Sequence, residues 1–115
     1  MKSDFDTFTS GILRICRPRP EITDFQAVRN VTGEGDLDVL YTLAYSEESR
    51  RTQDYEFAEQ AGRKLDLKVK VRWRPDIDTD QRVLIGRKLY SIYEMDSSSD
   101  RRTLYLYLEE ERDLE

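Results

Sequence analysis

The chain predicts a mainly β fold: a small antiparallel β-barrel of five to six strands with one inserted α-helix and long loops. Three observations carry that expectation. Residues 65–74 alternate without a break, Leu65, Leu67, Val69, Val71 and Trp73 against Asp66, Lys68, Lys70, Arg72 and Arg74, the period-2 signature of a half-buried strand. Other short alternating runs recur between turn-forming clusters, and only residues 47–61 break the pattern in favour of a helix. So many short strands in 115 residues suit one domain whose sheet curls on itself.

Residues 1–20 are expected to form an N-terminal arm or short helix, because Phe5, Phe8, Ile12 and Ile15 fall at spacings of three and four. Pro18 and Pro20 would end such a helix, and a strand over Ile12–Cys16 is the alternative. The barrel domain is placed at residues 21–110. Phe25, Ala27 and Val31 mark one side of a candidate strand at 22–31. Gly33-Glu34-Gly35-Asp36 then reads as a turn rather than a dinucleotide-binding loop, since Asp38 stands where that motif's third glycine belongs. Leu37, Val39, Tyr41, Leu43 and Tyr45 alternate in a second strand, completing a hairpin.

The helix is expected over about 47–61, capped by Ser46 and stopped by Gly62, with Tyr55, Ala58 and Ala61 as a narrow docking stripe edged by Phe57. Pro75–Asp80 is a turn-rich acidic connection. Its Asp76, Asp78 and Asp80 lack the glycine and glutamate that a calcium loop would need at Gln81 and Arg87. Arg82–Ile85, Gly86-Arg87 and Lys88–Met95 read as a hairpin, and Asp96–Asp100 as a polar loop. In the last strand Leu104, Leu106 and Leu108 share one face, Tyr105 and Tyr107 the other. The expected core is Leu67, Val69, Val71, Trp73, Ile85, Leu104, Leu106 and Leu108. Residues 111–115 read as an acidic tail whose final Leu-Glu has the look of a cloning scar.

Composition excludes several chemistries. The chain has no His and a single Cys, Cys16, so imidazole catalysis, an intrachain disulfide and thiolate clusters are ruled out. No apolar run approaches a membrane span, and no nucleophile stands beside a base. The chain is expected to be no enzyme and to need no cofactor or metal. Its net charge of −5 counts against free binding of nucleic acid.

Charge is unevenly distributed. Residues 63–74 hold six basic groups against one acidic, whereas 47–61 hold five acidic against two basic. The basic row reads either as a surface for phosphates or an acidic partner, or as the solvent face of a strand protected by lysine. Opposite patches on one small domain suit contact between copies. Tyr90, Tyr93, Tyr105 and Tyr107 fit an interface or half-exposed strand faces equally. The runner-up function is a small-barrel module for single-stranded nucleic acid, using the basic strand face with Trp73 and the tyrosines as stacking platforms.

From Arg50 to Glu110 a succession of short signals adds to this. Arg50-Arg51 is followed by Tyr55-Glu56-Phe57-Ala58 and a strand ending Val71-Arg72-Trp73-Arg74. Pro75-Asp76-Ile77, Arg82-Val83-Leu84 and Gly86-x3-Tyr90-x-Ile92 come next, then Arg101-Arg102-x-Leu104-x-Leu106 running into Glu109-Glu110. In this order and spacing the chain resembles the head-tail joining proteins (head completion, stopper or connector proteins) of long-tailed double-stranded DNA bacteriophages and prophages. Residues 33–46 fit that family's glycine turn and strand; residues 1–20 do not match it.

The resemblance implies a structural virion protein, made in the bacterial cytoplasm and placed at the head-tail interface. It implies a monomer in isolation that forms a ring of twelve below the portal, meeting the portal or an adaptor on one side and a tail completion protein on the other. Double-stranded DNA would pass through without sequence-specific binding. A ring of twelve would carry roughly −60, which does not trap a polyanion. Carried onto this chain, the resemblance makes Arg50, Arg51, Tyr55, Glu59, Arg63 and Lys64 candidates for a subunit or portal interface. Arg72, Arg74 and Arg82 are candidate partners for a neighbour's acidic helix, and Asp76, Asp78 and Asp80 for a loop facing the lumen or tail.

Overall fold

A computed structural model of the chain describes residues 8–19 and 33–114. Six strands are present among them: β1 Gly11–Pro18, β2 Leu37–Glu47, β3 Leu67–Arg72, β4 Arg82–Ile85, β5 Lys88–Ser97 and β6 Thr103–Asp113. A 3-10 turn, Glu34–Asp36, precedes β2, and a helix, α1, spans Thr52–Gln60 between β2 and β3. All pairings are antiparallel, and the sheet closes in the order β1-β2-β3-β6-β5-β4. Closure satisfies backbone groups that an open sheet would leave along its edges.

The interior is filled as the alternation requires. Leu13 and Ile15 from β1, Val69 and Val71 from β3, Val83 from β4 and Leu106 and Leu108 from β6 are fully buried in one cluster. Tyr45, Ile92, Leu104 and Ile77 complete it, the last from the connection after β3. Register accounts for the match, since Val69 faces Leu106 and Val71 faces Leu104 across β3 and β6. Of the expected core, Leu67, Trp73 and Ile85 are only half-buried and pack against this cluster's margin. A second small cluster, Cys16, Leu37, Leu84, Leu89 and Leu114, lies on the opposite face of the sheet from Ile15 and Val83, because neighbours along a strand point to opposite sides.

Four expectations are corrected. Gly11–Pro18 is a strand, the alternative over Ile12–Cys16, and not an arm or short helix. It lies between β2 and β4 in the sheet, and its side chains alternate, with Leu13 and Ile15 inside, Ile12 58% exposed and Cys16 buried in the cluster on the other face. Val39 is exposed rather than inward, because the register slips between Ile15 and Cys16, leaving Leu40 as an extra residue that flips the alternation. The helix begins at Thr52 rather than near 47, and Ser46 does not cap it. Ser46 is held in β2 opposite Lys70, and its hydroxyl accepts the Thr9 amide at 3.0 Å.

The fourth correction concerns the acidic end of the chain. Residues 109–113 continue β6 alongside β5, and Leu114 is buried rather than part of a tail. Opposite charge explains the extension: Glu111 pairs with Arg82 at 3.1 Å and Glu110 with Lys88 at 3.2 Å. The candidate strand at 22–31 and residues 1–7 lie outside the described residues.

Helix ends were legible in part. Asp54 accepts the Arg51 amide at 2.8 Å and so closes the N-terminus. At the other end Gly62 adopts a φ of 71°. The Arg63 amide donates to the Ala58 carbonyl at 2.8 Å and the Gly62 amide to Glu59 at 3.0 Å, so a Schellman motif stops the helix where its glycine predicts.

Candidate functional site

The outer face of β5, β6 and β3 is the most chemically organised surface among the described residues. Register places Glu94, Tyr107 and Lys68 on one rung and Asp96, Tyr105 and Lys70 on the next. Helix α1 lies over part of this lattice. Only Asp54 and Ala58 of the helix are buried, and Ala58 packs with Leu65 and Tyr107.

Beneath the helix sits a buried ion pair. Lys68 Nζ lies 3.1 Å from Asp54 Oδ2, with both side chains below a tenth exposed. The ammonium also stands 5.1 Å from the centroid of the Tyr107 ring and 5.7 Å from that of Tyr105, which gives it two electron-rich faces in place of water. Burial alone would push the Asp54 carboxyl up. The Arg51 amide, the Arg51 guanidinium and Lys68 together hold it below its ordinary value.

Tyr93 extends the aromatic floor. Its ring stacks on Phe57 at 6.5 Å and tilts on Tyr107 at 6.3 Å, and the Arg63 guanidinium lies 5.4 Å from its centroid. Its hydroxyl is buried without a hydrogen-bond partner among the described residues, and burial pushes its pKa up to about 12. An unfolded tyrosine ionises near 10, so this group's contribution is present below pH 10 and lost as pH rises from about 10 to 12. Because an unpaired buried hydroxyl costs about 1–3 kcal/mol, Tyr93→Phe should leave stability unchanged or raise it by about 1 kcal/mol. Urea denaturation at neutral pH checks this, and the variant should also lose part of the stability decline above pH 10.

The residues expected at an interface are distributed as follows. Arg50 donates to the Asp66 carbonyl and lies 6.0 Å from the Tyr55 ring. Arg51 is tied to Asp54, and Glu59 and Lys64 are exposed near the helix C-terminus. Tyr55 and Phe57 are 48% and 45% exposed, so the expected docking stripe of Tyr55, Ala58 and Ala61 is corrected: Ala58 alone of the three is buried. Arg63 binds Glu109 and donates to Ser91 Oγ at 2.9 Å. Arg82 is paired within the chain, with Glu111. Arg74 lies over Tyr41 at 4.1 Å and near Asp76 at 3.8 Å, and Arg72 over Phe8 at 5.7 Å.

In the acidic connection, Asp76 accepts from the Tyr41 hydroxyl, Asp78 Oδ1 accepts the Thr79 amide at 2.7 Å, and Asp80 is exposed. Buried Gln81 braces the loop, its amide donating to the Asp76 carbonyl at 3.0 Å and its oxygen accepting the Asp78 amide at 3.1 Å.

These placements dissolve the basic row as a continuous platform. Lys68 is beneath the helix, and Lys70 lies 3.8 Å from Glu48 and 6.0 Å from the Phe8 ring. With Arg74 3.8 Å from Asp76, three of the four cations that a nucleic-acid surface would use pair with carboxylates of the same chain. The Asp54–Lys68 pair has no signature in the sequence beyond the opposite charges of the segments that carry it.

Residues 19–111 match the family model for the phage head completion protein. No curated protein matches the chain.

Proposed function

The chain belongs to the phage head completion family, and from that premise we propose that it forms a ring below the portal, closing the DNA-filled head and offering the surface to which the tail docks. The family match across the barrel is the observation that carries this reading. Closure of the sheet supports it, because a closed strand order favours assembly through side-chain surfaces over the addition of strands. The reading includes the portal or an adaptor and a tail completion protein as neighbours, and DNA passing through the ring without sequence-specific contacts. It includes no catalytic step.

Deletion of the gene from the phage or prophage that carries it tests the proposal. Electron microscopy should find complete separate tails beside heads without tails, and nuclease should digest DNA that leaks from those heads. Tailed, infectious particles at the undeleted yield would overturn it.

A further inference from the structure

Over β6, beside the N-terminal end of α1, the outer face opens into a cleft made of two adjoining depressions, or lobes, of about 380 and 180 Å³ that share Asp96 and Tyr107, the smaller lying between α1 and β5. The larger lobe reaches Glu48, Arg51, Lys68 and Tyr105; the smaller reaches Asp54, Phe57 and Glu94. Four carboxylates thus face two cations. Lys68 and Arg51 are both bound to Asp54, and Glu48 is bound to Lys70. Glu94 and Asp96 make no ion pair or side-chain hydrogen bond among the described residues. Their side chains leave β5 on one face, about 7 Å apart along the strand, opposite Tyr107 and Tyr105. Phe57, 45% exposed, forms the helix-side wall.

We propose that this cleft receives an arginine side chain from a segment of a partner protein. Uncompensated carboxylates supply charge complementarity, and a guanidinium offers them several donors in a planar fork while its flat face rests on an aromatic ring. The chain uses that same contact internally, with Arg63 over Tyr93, Arg74 over Tyr41 and Arg101 over Trp73. An ammonium would meet the carboxylates as a point charge, without the planar fork that binds a carboxylate through two donors. The chemistry of the cleft stands apart from ring formation, so its test separates from that of the proposed function.

The probe is a labelled tetra-arginine peptide titrated against the full chain, read by fluorescence anisotropy at about 150 mM salt, where distant surface charges are screened. Tetra-lysine should bind about fivefold more weakly. Glu94→Gln/Asp96→Asn should weaken tetra-arginine about tenfold. Glu47→Gln/Glu56→Gln, which removes the same charge from exposed positions outside the cleft, should change it less than about twofold. Circular dichroism and urea midpoints of each variant establish that it is folded. Equal losses in the two double variants, equal binding of the two peptides, or no binding at all would overturn the proposal. So would sedimentation showing that Glu94→Gln/Asp96→Asn abolishes self-association of the wild-type chain, which would make a second copy the occupant.

Discussion

Lys68→Met should destabilise the fold by about 1–3 kcal/mol, the cost of taking from Asp54 its ammonium partner while Arg51 stays in place. The methionine keeps an apolar stem beside Tyr105 and Tyr107 but leaves the Asp54 carboxylate without its ammonium partner. Asp54 retains only the Arg51 amide and guanidinium. Removing both charges should recover most of the loss. In Asp54→Asn/Lys68→Met the amide oxygen can still accept the Arg51 amide, and no buried charge remains. Urea unfolding at pH 7 measures all three proteins, and a double variant no more stable than Lys68→Met would refute the assignment.

The pair also sets an acid dependence. Asp54 has a folded-state pKa below its unfolded value, so its contribution is complete above the ordinary carboxylate value near 3.9 and is lost as pH falls through the lower folded value. With Lys68 removed, one source of that depression disappears while burial remains. The Asp54 pKa should therefore rise in Lys68→Met, and acid unfolding should begin at higher pH than in the unmodified chain. A salt titration separates this pair from surface pairs such as Lys64–Asp66, whose lysine is 80% exposed. Screening weakens exposed pairs and leaves the buried one largely intact.

The barrel was legible where alternation and turns agreed. The run through Val69 and Val71 pairs with the run through Leu104 and Leu106, and Gly86, at a φ of 61°, turns β4 into β5. It failed where two periods competed. Phe8, Ile12 and Ile15 satisfy a helical spacing, yet Leu13 and Ile15 face the interior because β1 is hydrogen-bonded on both sides; tertiary pairing overrode the local pattern.

The same limit explains the missed site. Period 2 correctly put Lys68, Lys70 and Arg72 on the outer face of β3, but an outer face is solvated only when no other element returns over it. That α1 covers Lys68 is a fact of packing between segments, with no trace in the strand's own pattern. Opposite-sign segments at 47–61 and 63–74 did announce an attraction. Part of it is used within one chain, through Asp54–Lys68 and Glu48–Lys70.

What remains of the basic row for contact with another molecule is its far end, which makes Arg72→Glu/Arg74→Glu the decisive variant for assembly. Arg72 is exposed, rests against the Phe8 ring and has no carboxylate within ion-pair distance among the described residues. Arg74 shares itself between Tyr41 and Asp76. Neither contact is buried enough to hold the fold, since exposed cation–π and ion-pair contacts contribute about 1 kcal/mol or less each. The variant should therefore fold as a monomer with a urea midpoint near that of the unmodified chain. If Arg72 and Arg74 meet a neighbour's acidic helix, as the proposed ring has it, the two reversals should each cost several kcal/mol of association, enough to reduce joined particles more than about a hundredfold. Complementation of the deleted phage, with joined particles counted by electron microscopy, measures this. Arg72→Gln/Arg74→Gln should fall between the two, because neutral residues remove attraction without adding repulsion. Joined particles at the unmodified yield from the glutamate variant would mean that this end of the barrel faces solvent in the assembled connector.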